Sequence, residues 1–329
     1  MGSRLDPDAQ RLLEEWAAAS NGPIEQQPVE ALRNSGLINH SVTGPPPELA
    51  LVSDRAVESS GGERIPIRVY SETVEAGAPV IVYGHGGGWT LLSIDAADVL
   101  CRHIARGTGC TVVSVGYRLA PEHPFPAAFD DMWDVTAWAA DGGLGWQPPK
   151  VCVAGDSAGA NLAAAVALHA TRTGRVSIDL QLLLYPATST DVDTESMRTL
   201  GSDPRFRLTP AVMRWAWHNY VGADLSSSDY RAVPARAGDF SGVARAIVVT
   251  PEFDPIKDDG RSYAELLRND GVQVDLISPA GLPHGFGMML GAVPGALPAL
   301  EDVIARARDV MRPLPPPATE LSSAGVRSA

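Results

Sequence analysis

The chain has 329 residues, of which 45% are hydrophobic and 20% charged, with a mean hydropathy of −0.02. That length suits one large domain or two ordinary ones and buries enough surface to need no disulfide staple. The net charge of −13 and the pI of about 4.9 repel phosphate backbones and argue against a nucleic-acid partner.

The N-terminus, Met1-Gly2-Ser3-Arg4-Leu5-Asp6-Pro7-Asp8, carries early carboxylates and no apolar run, so it does not read as a secretory signal. Residues 1–45 hold an amphipathic helical stretch over 9–19 and then a polar, proline-containing region. Around 50–70, Arg64-Ile65-Pro66-Ile67-Arg68-Val69-Tyr70 reads as a hairpin strand at a sheet edge. From about residue 79 onward, short apolar runs alternate with helical stretches. The runs cover 80–83, 111–115, 151–154, 180–184, 246–249 and 272–277, and the helices about 94–107, 127–140, 158–173, 258–270 and 298–312. Several runs are apolar at consecutive positions, as strands buried on both faces must be. The alternation predicts an α/β class: a mostly parallel central sheet with helices on both faces.

Residues 188–232 break this rhythm with polar turns and a helix over 210–220 that carries Trp215, Trp217 and Tyr220. An insertion at the carboxyl end of a strand is placed to form a lid, and whether its tryptophans line a pocket or pack against the core stays open. The tail over 313–329, beginning Pro313-Leu314-Pro315-Pro316-Pro317, reads as disordered. The longest nearly apolar stretch, about 160–170, is too short for the roughly 18 residues of a membrane span, so no stable membrane insertion is expected. Cys101, Cys110 and Cys152 form no C-x-x-C pair; three scattered cysteines fit reduced thiols and a cytoplasmic location, with Cys152 a small core residue.

The chemistry is concentrated at two glycine-rich segments. Gly155-Asp156-Ser157-Ala158-Gly159 follows the 151–154 run and opens a helix of small residues, the context a nucleophile elbow requires. The elbow strains the serine backbone, so its neighbours need almost no side chain, and the helix N-terminus faces developing negative charge. Gly84-His85-Gly86-Gly87-Gly88-Trp89 follows the 80–83 run. Its glycines let bare N–H groups reach a carbonyl oxygen, an oxyanion-hole function worth roughly 2.7–4 kcal/mol per donor. With Ala158 just after the serine, Gly86, Gly87 and Gly88 are the candidate donors. Neither a G-x-G-x-x-G spacing nor a Walker lysine is present, which weakens a phosphate-binding reading.

A base and an acid must then follow in the order Ser, Asp, His. Of His218 and His284, the first lies in the aromatic helix, where packing or surface exposure is the ordinary role. His284 lies in Leu282-Pro283-His284-Gly285-Phe286, past the last strand, where a turn presents the imidazole. Asp254 follows the 246–249 run as a buried orienting carboxylate should; Glu252 competes less well, and Asp258 and Asp259 suit the N-terminus of the next helix.

Taken with Tyr117-Arg118-Leu119-Ala120-Pro121-Glu122-His123-Pro124-Phe125-Pro126 and with Asn161, these motifs resemble those of hormone-sensitive-lipase-like bacterial esterases over about 79–312. The resemblance implies an α/β-hydrolase core in two parts, 46–187 and 233–312, and a helical cap built from 1–45 and 188–232. It implies Ser157, Asp254 and His284 as triad, an oxyanion hole from Gly87, Gly88 and Ala158, and an architectural role for His85 and the 117–126 segment. It further implies a serine carboxylesterase acting through an acyl-enzyme on short-to-medium acyl or small-molecule esters, with no metal or organic cofactor, and an option of homodimers. The same triad serves amides, lactones, thioesters or acyl transfer, and related receptors that capture a small ligand have lost the histidine that this chain retains. The chain departs from the family pattern at Leu92, where glycine is commoner, and at Ala96, Ala97 and Ala160. Those positions lie near the loop that shapes the pocket.

Overall fold

Eight strands form one sheet in the computed structural model of the protein, which describes residues 4–20, 22–35, 39–223 and 225–312. The strands are β1 (Leu51–Glu58), β2 (Arg64–Ser71), β3 (Val80–Gly84), β4 (Thr111–Val115), β5 (Val151–Asp156), β6 (Leu180–Leu184), β7 (Ala246–Val249) and β8 (Val274–Ile277). Their order is β1-β2-β4-β3-β5-β6-β7-β8. The β1–β2 and β2–β4 pairs are antiparallel, and all the others are parallel. The segment over 64–70 is therefore the inner strand of an edge hairpin, as its sequence suggests, and β1 is the edge itself.

The helices before the fourth strand are α1 (Pro7–Ala18), α2 (Val29–Arg33), α3 (His40–Thr43) and α4 (Asp98–Thr108). Next come α5 (Ala127–Ala140), α6 (Ala158–Thr173), α7 (Glu195–Thr199), α8 (Pro210–Val221), α9 (Lys257–Asn269) and α10 (Ala296–Met311). Strand periodicity sends alternate side chains to opposite faces. Val80, Val82 and Val153 join one core with residues of α5, α6 and α9, while Ile81, Tyr83, Cys152 and Ala154 join a second core with α4 and α10. Both faces are thus covered, which is why β3, β4, β5, β6 and β7 are buried along their whole length. All three cysteines are buried free thiols.

Helix ends follow local chemistry. Asp6 caps α1, accepting from the amides of Asp8 and Ala9, with Pro7 at the first helical position. Thr209 and Pro210 do the same for α8, and Gly174 closes α6 in the left-handed region at φ +63°. The helix expected from about 94 begins only at Asp98, because 94–97 are occupied by turns leading from the glycine loop. No helix among the described residues is long and apolar enough to cross a membrane. The expectation of a disordered tail over 313–329 lies outside the described residues.

This topology positions the site. From β3 the chain crosses by α4 to β4 on one side, then returns by α5 to β5 on the other. The carboxyl ends of neighbouring β3 and β5 therefore flank a switch point, where open α/β sheets form their ligand crevice. Gly84 and Gly155, the first residues of the two motifs, are register partners there.

Candidate active site

Ser157 occupies the single residue between β5 and α6, with φ +54° and ψ −116°. A non-glycine residue in that region costs on the order of 1–3 kcal/mol and persists only when its surroundings over-determine it. Here the Ser157 N–H donates to the Leu184 carbonyl at 2.9 Å, while its own carbonyl accepts from Asn161 N–H at 3.1 Å. The glycines of the motif are needed for clearance: a Cβ on Gly155 would run into the Gly159 backbone, and one on Gly159 into the Gly84 carbonyl. The small-residue start of α6 is what allows the helix to reach the sheet so closely.

His284 is presented by the loop after β8. Phe253 and Pro283 form an isolated parallel bridge, and Phe253 N–H donates to the Leu282 carbonyl at 3.0 Å. Each strand of that bridge delivers its next residue to the site, which puts Asp254 beside His284. Nδ1 of His284 lies 2.9 Å from Asp254 Oδ2, and Nε2 lies 3.1 Å from Ser157 Oγ. Because Asp254 offers only an acceptor there, Nδ1 carries the proton and Nε2 is left to accept from the serine hydroxyl. Asp254 is fully buried, and its second oxygen accepts Ile256 N–H at 2.8 Å. The Tyr185 ring packs edge-on against the His284 imidazole at 4.7 Å, limiting its rotation.

The glycine loop sets Gly86 apart from the two glycines that follow it. Gly87 and Gly88 lie at φ +103° and +59°, and a Cβ on Gly87 would collide with the Leu91 carbonyl. Gly86 does not belong with them as a donor. Its N–H is already given to Asp156 Oδ1 at 2.8 Å, the same oxygen that accepts the Tyr83 hydroxyl at 2.6 Å. The remaining candidates are Gly87, Gly88 and Ala158, the last in the first turn of α6, where helix amides lack intrahelical acceptors. Burial pushes the Asp156 carboxyl up to about 6 against the pull of those two hydrogen bonds. His85 stacks on Tyr117 at 4.3 Å, places Nδ1 2.8 Å from the Gly86 carbonyl, and has its own carbonyl bonded by the Tyr117 hydroxyl at 2.7 Å. Burial lowers the His85 pKa to about 4, which keeps the ring neutral in this architectural position.

Other expectations sort themselves by place. His218 is exposed on α8. His169 also follows Ser157 in the chain and is passed over by the sequence reasoning; it lies within α6 with Nδ1 2.8 Å from the Tyr230 hydroxyl. Asp259 is not a plain helix-start carboxylate. It is buried, accepts the amides of Thr188 and Ser189 at 3.0 and 3.1 Å together with the Thr188 hydroxyl, and is pushed up to about 7 by burial. Asp258 accepts Ser196 N–H at 2.7 Å, so two successive carboxylates of α9 clasp the start of the 188–232 insertion.

A cavity of about 650 Å³ opens at Ser157 and His284. Its walls come from the glycine loop, from the N-terminal segment (Leu13, Trp16, Ile24) and from the insertion (Phe206, Leu208, Val212, Met213, Trp215). The two segments that fall outside the strand-helix rhythm therefore share one pocket. The two tryptophans of α8 part company: Trp215 lines the cavity, whereas Trp217 is fully buried against Trp89. Leu92 and Ala96 also line it. Leu92 holds φ +67°, a conformation that suits the glycine commoner at that position, so its side chain is retained in the wall at a backbone cost.

A family model described as alpha/beta hydrolase fold matches residues 81–288. The chain is 39% identical over 264 residues to carboxylesterase NlhH of Mycobacterium tuberculosis, covering 77% of this chain and 82% of that protein. It is 37% identical over 295 residues to carboxylic ester hydrolase LipN of the same organism, covering 87% and 77%. Among solved structures, a hyperthermophilic esterase from the archaeon Pyrobaculum calidifontis superposes with a TM-score of 0.86 at 34% identity, covering 93% of this chain and 98% of that one.

Proposed function

The chain belongs to the α/β-hydrolase family, among the hormone-sensitive-lipase-like esterases, and from that premise we propose that it is a carboxylic ester hydrolase working through Ser157, His284 and Asp254. The observation that carries the residue assignment is the unbroken relay at 2.9 and 3.1 Å from a buried carboxylate through His284 to a serine at the floor of the cavity.

The reaction is acyl transfer in two halves. As Ser157 Oγ attacks the ester carbonyl, His284 Nε2 takes its proton and Asp254 stabilises the resulting imidazolium. The tetrahedral oxyanion is held by N–H groups of Gly87, Gly88 and Ala158, at the positive end of α6. His284 then protonates the departing alcohol. Water repeats the sequence on the acyl-enzyme and releases the acid. The chemistry calls on no metal or organic cofactor.

The cavity volume and its aliphatic and aromatic walls suit short-to-medium acyl or small-molecule esters. Ser157→Ala keeps the fold and removes the attacking atom, so turnover of p-nitrophenyl butyrate falls by about 10⁴-fold or more, to the level left by the oxyanion groups and binding. Unchanged turnover in a folded Ser157→Ala protein would refute the assignment.

A further inference from the structure

Besides the buried Tyr185 phenol, five acidic or basic side chains line the cavity, and four are committed. Arg33 donates to the Thr90 and Ala120 carbonyls and forks onto Glu122, with both of its carboxylate contacts at 2.8 Å. Asp95 pairs with Arg68 at 2.9 Å, Asp156 holds Tyr83 and Gly86, and His284 belongs to the relay. Arg207 is the exception. It forms no ion pair with any described carboxylate, and of its five N–H donors one on Nη1 reaches the Trp16 carbonyl at 3.2 Å. The nearby acids are taken: Arg205 pairs with both Asp203 and Glu14. The Arg207 backbone, at φ +59° after the turn Pro204–Phe206, sets the direction of the side chain.

A half-buried guanidinium without a counter-charge is costly, and burial draws its pKa below the usual value. The cavity wall it shares is otherwise largely apolar, with Leu13, Trp16, Leu208 and Trp215 among its residues. A carboxylate entering the cavity meets a planar fork of free donors, the geometry that binds such groups in bidentate fashion.

We propose that Arg207 is a specificity-determining residue that anchors a carboxylate on the substrate, so that the enzyme favours esters with one arm ending in a carboxylate over neutral esters of the same length. This rests on the hydrolase reading above. The scissile carbonyl lies at Ser157 while the anionic end lies at Arg207, both in one cavity. The bond cleaved and the proton transfers are those already described.

The test compares matched pairs by pH-stat. Ethyl hydrogen glutarate and ethyl hydrogen adipate are set against ethyl pentanoate and ethyl hexanoate for a carboxylate on the acyl arm. The 4-acetoxybutanoate anion is set against butyl acetate for one on the alcohol arm. In the wild type, kcat/KM favours the anionic member in at least one arm. Arg207→Met lowers that preference by about 10- to 100-fold, mainly through KM, while Arg207→Lys keeps part of it. Two results overturn the proposal: an equal loss on anionic and neutral esters in Arg207→Met, which is the mark of a mere strut to Trp16, or a wild type that prefers the neutral member in both arms. Calorimetric titration with adipate separates this from the parent reading, because it needs no turnover: adipate binds the wild type and loses about 10-fold or more in affinity in Arg207→Met. If no ester is hydrolysed yet adipate binding depends on Arg207, the hydrolase reading fails and the anchor stands; if neutral esters are hydrolysed and adipate binding ignores Arg207, the anchor fails alone.

Discussion

Asp156 shows how one atom can serve two parts of the site. Its Oδ1 accepts both the Tyr83 hydroxyl and the Gly86 amide, tying β3 and the oxyanion loop to the nucleophile turn. Asn presents a carbonyl oxygen in the same place, so Asp156→Asn keeps both bonds and removes only the charge. The folded pKa is raised from 3.8 to about 6, so between those values the native state binds more protons than the unfolded chain and wild-type stability falls as pH rises. The variant lacks this loss. In urea unfolding, Asp156→Asn therefore gains on the wild type between pH 4.5 and 7.5; a difference that does not change with pH contradicts the account. The serine, carboxylate and imidazole that the structure brings together were legible in the sequence because order and strand-end placement restrict them. Gly86 was misread for a physical reason: its acceptor lies 70 residues away, across a strand pair, where local spacing carries no trace of it. Arg207 was invisible too, since an arginine in a polar turn signals exposure until the surrounding walls are known.

At the scale of elements, α6 does more than follow Ser157. Asn161, one turn into the helix, donates through Nδ2 to the Ala187 carbonyl at 2.8 Å and to the Ala232 carbonyl at 3.0 Å. Those two carbonyls bracket the 188–232 insertion, so a single buried amide joins both its roots to the catalytic helix. Asn161→Ala leaves two buried carbonyls unpaired and costs about 2–5 kcal/mol in urea unfolding. Proteolysis should then cut within 188–232 faster than in the sheet; a loss below about 0.5 kcal/mol with unchanged cleavage contradicts the bracing role. The central strands were plain from their unbroken apolar runs. β1 was less so, because as an edge strand it leaves Asp54, Arg55 and Ala56 in solvent one after another and lacks the apolar signature.

The whole molecule joins a central sheet, which places the relay, to a cover, which walls the cavity above it. The sheet and its two cores follow from hydrophobic pattern and crossover handedness, and this is the part of the fold that sequence resolves best. The cover is assembled from segments more than 180 residues apart, as when Arg207 donates to the Trp16 carbonyl, so its pocket face emerges only in three dimensions. The central claim is that Ser157, and no other residue, becomes acylated during turnover. It is tested most directly by incubating the protein with a fluorophosphonate ester and locating the adduct by peptide mass mapping. The account predicts one equivalent of label on Ser157, loss of esterase activity in step with labelling, and no label on Ser157→Ala; an adduct on any other residue, or full activity in a protein labelled at Ser157, contradicts it.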